Sequence, residues 1–177
     1  MLSARLKEKA LNVRLLALDV DGVLTDGRLY FAEDGQEFKT FDTQDGHGIK
    51  MLQAAGIEVA IITGRTTKLV QRRAGNLGIH HLLQGREDKL VALRELTGEL
   101  GIALDEVAYV GDDCPDLPAI LAVGLGVAVA NAHAELRARA DHVTTLAGGR
   151  GAVREVCDLL LQAQGRYDTA LAPYLDI

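Results

Sequence analysis

Four short apolar runs, three of them ending in polar groups, constrain this chain more than any other feature of its sequence. Residues 14–19 (RLLALD), 58–63 (EVAIIT), 107–111 (VAYVG) and 125–130 (LGVAVA) are close to continuously apolar. A strand with water on one face alternates between apolar and polar residues; an apolar run suits a strand covered on both faces. Helical patterns separate the runs, at 48–55, 67–77, 89–100, 116–123 and 134–140. A last helix is expected from 151 to about 164, where Val153, Val156, Cys157, Leu160 and Leu161 share one face. Strand–helix alternation with right-handed crossovers predicts an α/β fold with a doubly wound parallel sheet. Residues 28–41 break the alternation. There Leu29-Tyr30-Phe31 and residues 37–41 (EFKTF) flank Asp34-Gly35, the signature of a β-hairpin insertion.

The 177 residues suit a single domain spanning 1–177, able to bury about 70% of the surface of its unfolded chain without a staple. The first residues, MLSARLKEKALNVR, read as a short amphipathic helix and lack the apolar core of a signal peptide. No stretch approaches the roughly 20 apolar residues that cross a bilayer, so no membrane partner is expected. Net charge is −6, aromatic residues are 4% and Trp is absent. Such a chain gains nothing from counterion release and has little to stack on bases, so no nucleic-acid partner is expected. Cys114 and Cys157 form no C-x-x-C pair, which fits a reducing cytoplasmic location. The segment at about 165–177 (GRYDTALAPYLDI) is polar with scattered Leu and Tyr and is expected to be flexible.

Chemistry is expected where the strands end, because ligands of a doubly wound sheet bind beyond the carboxyl ends of its strands. Three runs end in Asp19-Val20-Asp21, Thr63-Gly64-Arg65 and Gly111-Asp112-Asp113. A lone strand-end Asp is ordinarily a solvated acid or a helix cap. Four carboxylates at one edge repel one another unless a cation lies among them, and Mg²⁺ is the hard cation that takes carboxylate and phosphate oxygens. The five histidines, His47, His80, His81, His133 and His142, show no metal-ligand spacing.

Asp19-Val20-Asp21-Gly22-Val23-Leu24-Thr25, Ile62-Thr63-Gly64-Arg65, Lys89 and Gly111-Asp112-Asp113-x-x-Asp116 resemble, in order, the four motifs of the haloacid dehalogenase superfamily. The hairpin, residues 41–50 (FDTQDGHGIK) and residues 147–155 (AGGRGAVRE) are similar to the 3-deoxy-D-manno-octulosonate 8-phosphate (KDO 8-phosphate) phosphatase family, over about residues 13–165. The resemblance implies a cytoplasmic Mg²⁺-dependent phosphatase on the route to lipopolysaccharide. In it Asp19 would attack phosphorus, and Asp21 would serve as general acid and base while offering its carbonyl to the metal. Asp112 would complete the metal site, with Asp113 and Asp116 behind it. Thr63 and Lys89 would hold the phosphoryl group. Residues Asp42, Thr43, Gln44, Asp45 and Gly46 match the family's substrate-binding loop. A sugar acid also carries a carboxylate, for which Arg65, Arg73 and Lys50 are candidates. Arg72, Lys68 and Arg86 read as solvated charges, and Arg150 as a reach to a neighbour or part of a helix cap.

No insertion is long enough for a cap domain: 41 residues separate Asp21 from Thr63, and 25 separate Thr63 from Lys89. An isolated two-stranded hairpin is marginally stable, so it is a poor lid alone. Association would bury Leu29, Phe31, Phe38 and Phe41, and the resemblance implies a homotetramer in which neighbours close each site. Two other readings remain open from sequence. One is the same chemistry on a nine-carbon ulosonic acid phosphate, deaminoneuraminate 9-phosphate. The other is a non-catalytic phosphoacceptor or regulatory domain, against which Asp21 argues because a phosphoacceptor has no leaving sugar to protonate.

Overall fold

The computed structural model describes residues 3–175. Helix α1 (Ala4–Leu11) is capped by Ser3, whose hydroxyl accepts from the Leu6 N–H at 3.2 Å. Strand β1 (Leu15–Leu18) follows, buried at all four positions. The hairpin strands β2 (Tyr30–Phe31) and β3 (Glu37–Phe38) come next, then α2 (Thr43–Ala54), β4 (Glu58–Thr63), α3 (Lys68–Leu77), β5 (His81–Gln84) and α4 (Lys89–Leu100). After them come β6 (Val107–Gly111), α5 (Leu117–Ala122), β7 (Leu125–Ala128), α6 (Ala134–Arg139), β8 (His142–Val143), α7 (Ala152–Ala163) and α8 (Tyr167–Leu171).

Six strands form a parallel sheet in the order β5-β4-β1-β6-β7-β8. β1 pairs with β4 on one side and β6 on the other, setting Leu18 beside both Ile61 and Val110. The order turns back at β1, so the carboxyl ends of β1, β4 and β6 converge on one crevice. Helices α1, α2, α7 and α8 pack together, and α5 packs with α4 and α6. The four apolar runs are the four inner strands, and their side chains make the centre of the core.

Edge strands β5 and β8 were not anticipated. β5 is half-buried along its length and begins with a histidine, so it has neither a continuous apolar run nor a clean alternation. β8 is two residues long. Residues 42–46, expected as a substrate-binding loop, form the cap and first turn of α2. The Asp42 carboxylate accepts from the Gln44 and Asp45 N–H groups at 2.7 and 3.3 Å, starting the helix five residues before its apolar pattern.

The segment after Gln164, expected to be flexible, folds into α8 and a 3-10 turn at Ala172–Tyr174. Tyr167 and Ala170 pack against the core, and Arg166 donates to the Ala55 carbonyl at 2.6 Å. His47 and Tyr174 meet edge to face at 5.2 Å. Residues 1–2 and 176–177 of the two terminal expectations lie outside the described residues.

The hairpin is a sheet of its own, with Tyr30 opposite Phe38 and Phe31 opposite Glu37. Asp34-Gly35 sits in its turn, which Ala32 closes with an N–H to the Gln36 carbonyl at 2.9 Å. Leu29, Phe31 and Phe38 are 52%, 63% and 52% exposed. Phe41 instead packs at the edge of the core, with the Arg73 guanidinium 5.5 Å over its ring.

Candidate active site

The first acid is fixed by the sheet itself. The Asp19 N–H donates to the Val110 carbonyl at 3.1 Å, which holds its backbone beside β6 as β1 ends. Beyond it the chain winds into a tight turn: the N–H groups of Val23, Leu24 and Thr25 all reach the Val20 carbonyl, at 3.2, 3.0 and 3.0 Å. Gly22, at φ +98°, is required here, since a Cβ would stand 2.0 Å from an Asp112 carboxylate oxygen. Gly148 locks the turn from the far side, where a Cβ would stand 1.7 Å from the Gly22 carbonyl oxygen.

Asp116 organises the second acidic edge. It is 1% exposed. One of its oxygens accepts from Lys89 Nζ at 2.6 Å and the Tyr109 hydroxyl at 2.8 Å. The other accepts from the N–H groups of Asp112 and Asp113 at 3.0 and 3.3 Å. Lys89 also pairs with Asp19 at 2.9 Å, so one buried ammonium joins the two edges. Burial alone would lower the Lys89 pKa, but the Asp19 and Asp116 charges outweigh it and raise it. Lys89 is therefore a fixed positive charge.

One buried ammonium is too little for this cluster. Asp19, Asp112 and Asp116 each place an oxygen within 4.8 Å of the others. Burial and the Asp116 charge push the Asp19 carboxyl up to about 8, against the pull of Lys89. The same two causes push Asp112 up to about 6. A divalent cation held among these carboxylates would balance their mutual repulsion. With four donors already on Asp116, the acceptors left for such an ion belong to Asp19 and Asp112.

A cleft of about 660 Å³ opens here, and Asp19, Asp21, Thr63, Arg65, Lys89, Asp112, Asp113 and Asp116 all line it. Thr63 ends β4 and is 2% exposed. Its hydroxyl accepts from the Arg65 N–H at 3.4 Å. Seven other residues singled out in the sequence do not line this cleft. Asp42 caps α2 and its carbonyl accepts from Arg73 at 2.9 Å. Gly46 lies against that same guanidinium, which a Cβ would approach to 2.4 Å. Thr43 and Gln44 are exposed. Asp45 is 1% exposed and ties α2 to α7 by accepting from the Arg154 N–H at 2.8 Å. Lys50 borders a different cavity, of about 450 Å³, between α2 and the terminal segment.

Three residues at the site escaped the sequence reading. Tyr109 looks like one more core residue of an apolar run. Glu37 and Lys39 look like hairpin surface, yet the Lys39 side chain is 2% exposed and its ammonium donates to the Asp21 carboxylate. Glu37 stands 3.5 Å from that ammonium and accepts from Arg65 at 2.9 Å. A signal was available: Glu37 and Lys39 are two residues apart, on the face of the strand opposite Phe38.

A parallel sheet that gathers two acids after its first strand, a Thr, a Lys and a further acidic pair in one crevice has the architecture of the haloacid dehalogenase-like hydrolases. A family model of haloacid dehalogenase-like hydrolases matches residues 78–155. The chain is 58% identical over 168 residues to the 3-deoxy-D-manno-octulosonate 8-phosphate phosphatase of Escherichia coli strain B, covering 95% of this chain and 89% of that protein. It belongs to that phosphatase family. Among solved structures, a probable phosphatase from Pseudomonas syringae superposes with a TM-score of 0.97 at 56% identity, covering 99% of both chains. The Moraxella catarrhalis KDO 8-phosphate phosphatase, solved with magnesium, phosphate and KDO, superposes with a TM-score of 0.94 at 48% identity, covering 96% of this chain and 97% of its own.

Proposed function

We propose that this protein hydrolyses KDO 8-phosphate to KDO and phosphate through an aspartyl phosphate on Asp19. The observation that carries the reading is the junction of buried Asp19 and Lys89 with half-buried Asp112 at the mouth of three strands, in a chain of this family. Phosphate monoesters hydrolyse very slowly unaided, so splitting the reaction at a carboxylate nucleophile is a large gain. An Asp19 oxygen bonds to phosphorus as the sugar–oxygen bond to phosphorus breaks, and Asp21 gives its proton to the departing oxygen. Water then attacks the same phosphorus, its proton passes to Asp21, and the bond to Asp19 breaks to release phosphate.

Lys89 neutralises charge on the phosphoryl oxygens, and Asp116 with Tyr109 keeps its ammonium aimed at them. Thr63 offers its hydroxyl to the same oxygens, and Arg65 at the cleft wall is placed for the substrate's carboxylate. Mg²⁺, held by Asp19, Asp112 and the Asp21 carbonyl, supplies the charge that draws the anionic phosphoryl group to an anionic nucleophile. The exposed aromatic hairpin supports a homotetramer, and the family points to a cytoplasmic place on the route to lipopolysaccharide. Among the described residues no helix is long and apolar enough to cross a membrane.

Phosphate release from a panel of sugar phosphates, with and without EDTA, tests the reading. KDO 8-phosphate should be the preferred substrate, ahead of its nine-carbon analogue, and chelation should abolish release. Undiminished activity after exhaustive EDTA treatment would contradict it, as would failure to release phosphate from KDO 8-phosphate.

A further inference from the structure

The Asp21 carboxylate sits apart from the network that fixes Asp19, Lys89 and Asp116. Among the described residues its hydrogen-bonding partner is Lys39, which arrives from the hairpin. That ammonium is almost wholly buried, with Glu37 on its other side. Glu37 in turn holds Arg65 across the mouth of the cleft. A string of alternating charges therefore runs Asp21–Lys39–Glu37–Arg65, from the turn after β1 through the hairpin to the turn after β4.

Stability explains this string poorly. Burying an ammonium is costly, and its pairing with carboxylates often does no better than break even with an apolar alternative. One oxygen of Glu37 is buried without a hydrogen-bond partner, so the string is not optimised for its own sake. Its geometry serves the reaction better. Asp21 must stand within hydrogen-bonding reach of the leaving oxygen and later of the attacking water, and a misplacement of about 1 Å can cost on the order of 10²-fold in rate. Asp19 and Asp112 lie in the same cleft, and like charges would otherwise drive the Asp21 side chain outward.

We propose that Lys39, braced by Glu37, is a positioning residue that holds the Asp21 carboxylate over the reacting phosphorus, so that the hairpin completes the acid–base machinery of its own subunit. The inference rests on the phosphatase reading and adds a specific job for the hairpin. Among the described residues, Lys39 pairs with the carboxylates of Asp21 and Glu37, not with those of Asp19 or Asp112.

The test compares wild type, Lys39→Met and Lys39→Arg on KDO 8-phosphate and on p-nitrophenyl phosphate, whose phenolate departs without an acid. Lys39→Met should lose about 10²-fold in kcat on the sugar phosphate with a much smaller change in KM. On the aryl ester it should release a rapid burst of one nitrophenolate per subunit and then turn over slowly. Formation of the aspartyl phosphate needs no acid with that ester, whereas its hydrolysis still needs Asp21 as base. Lys39→Arg should recover much of the loss. If Lys39→Met does not fold, judged by its melting temperature, Glu37→Gln removes the brace and should show the same pattern more weakly. Unchanged kcat on the sugar phosphate would overturn the proposal. So would equal slowing of both esters without a burst, because that assigns Lys39 to phosphate binding or to the fold. A wild type active on the aryl ester but inert towards KDO 8-phosphate would refute the substrate reading, while the burst would still decide the role of Lys39.

Discussion

The Lys39 string joins two regions built in opposite ways, the carboxyl edge of the sheet at its ends and the hairpin at its middle. At the carboxyl edge of the parallel sheet, Asp19, Lys89 and Asp116 are each at most 6% exposed and are tied to one another by ion pairs through Lys89. The hairpin has two residues per strand and leaves Leu29, Phe31 and Phe38 more than half exposed. The phosphoryl-transfer centre is thus held rigidly by the sheet, whereas the hairpin is held lightly. Chemistry on phosphate is the same for any ester and belongs on rigid strands, so we propose that coverage of a particular sugar falls to the hairpin.

The largest expected effect breaks the rigid side. Asp19→Asn should lower turnover by on the order of 10⁴-fold or more while the melting temperature moves by only a few degrees, because the amide has the carboxylate's shape. The measurement is phosphate release beside a thermal melt, with mass spectrometry to exclude deamidation. Residual activity of more than a few per cent would mean that the rigid edge is not the reacting centre.

A smaller effect is expected on the light side. Covering one large aromatic side chain is worth roughly 1.5–3 kcal/mol, so a charge at Phe31 opposes association without disturbing the sheet. Phe31→Glu should run as a smaller species by light scattering. Its activity should fall further towards the sugar phosphate than towards a small aryl ester. A variant of unchanged mass and unchanged substrate preference would show that the hairpin's aromatic face has no partner.

The smallest effect concerns Asp45, which reads in sequence as part of a substrate loop and in the fold as a tie between α2 and α7. Burial pushes its carboxyl up from 3.8 to about 6. The folded chain therefore holds this proton more tightly than the unfolded chain. The resulting stability is present in full below about pH 4 and is lost as pH rises through about 6. The span is worth at most about 3 kcal/mol. Asp45→Asn should flatten that part of the curve in urea melts at about pH 4.5 and about pH 7.5, with KM for the sugar phosphate nearly unchanged. An unaltered curve with a raised KM would return Asp45 to the substrate.

What could be read from the sequence follows the same division. The runs at β1, β4, β6 and β7 were legible because strands covered on both faces have no polar alternation to blur them, and the acids that follow β1 and β6 mark the crevice. α4 was legible to both its ends, whereas α2 was not. Gly46 and Gly48 weaken the helical pattern of its first turn, and only the Asp42 cap reveals the true start. The terminal segment misled because two half-buried contacts, Tyr167 and Ala170, are enough to dock a helix against a core already formed. A lysine in a hairpin is nearly always a solvated charge; the spacing of Glu37 and Lys39 puts both on the face opposite Phe38, but the enclosure of Lys39 between two carboxylates is made by tertiary structure.

The covalent role of Asp19 is the centre of the account, and the stereochemical course at phosphorus tests it most directly. The phosphorothioate analogue of the sugar phosphate, made chiral at phosphorus with two oxygen isotopes, would be hydrolysed in water carrying the third, and the configuration of the released thiophosphate determined. Attack by Asp19 followed by attack of water is two in-line displacements, so retention is expected. Inversion would mean that water displaces the sugar in one step and that Asp19 only helps to bind the metal.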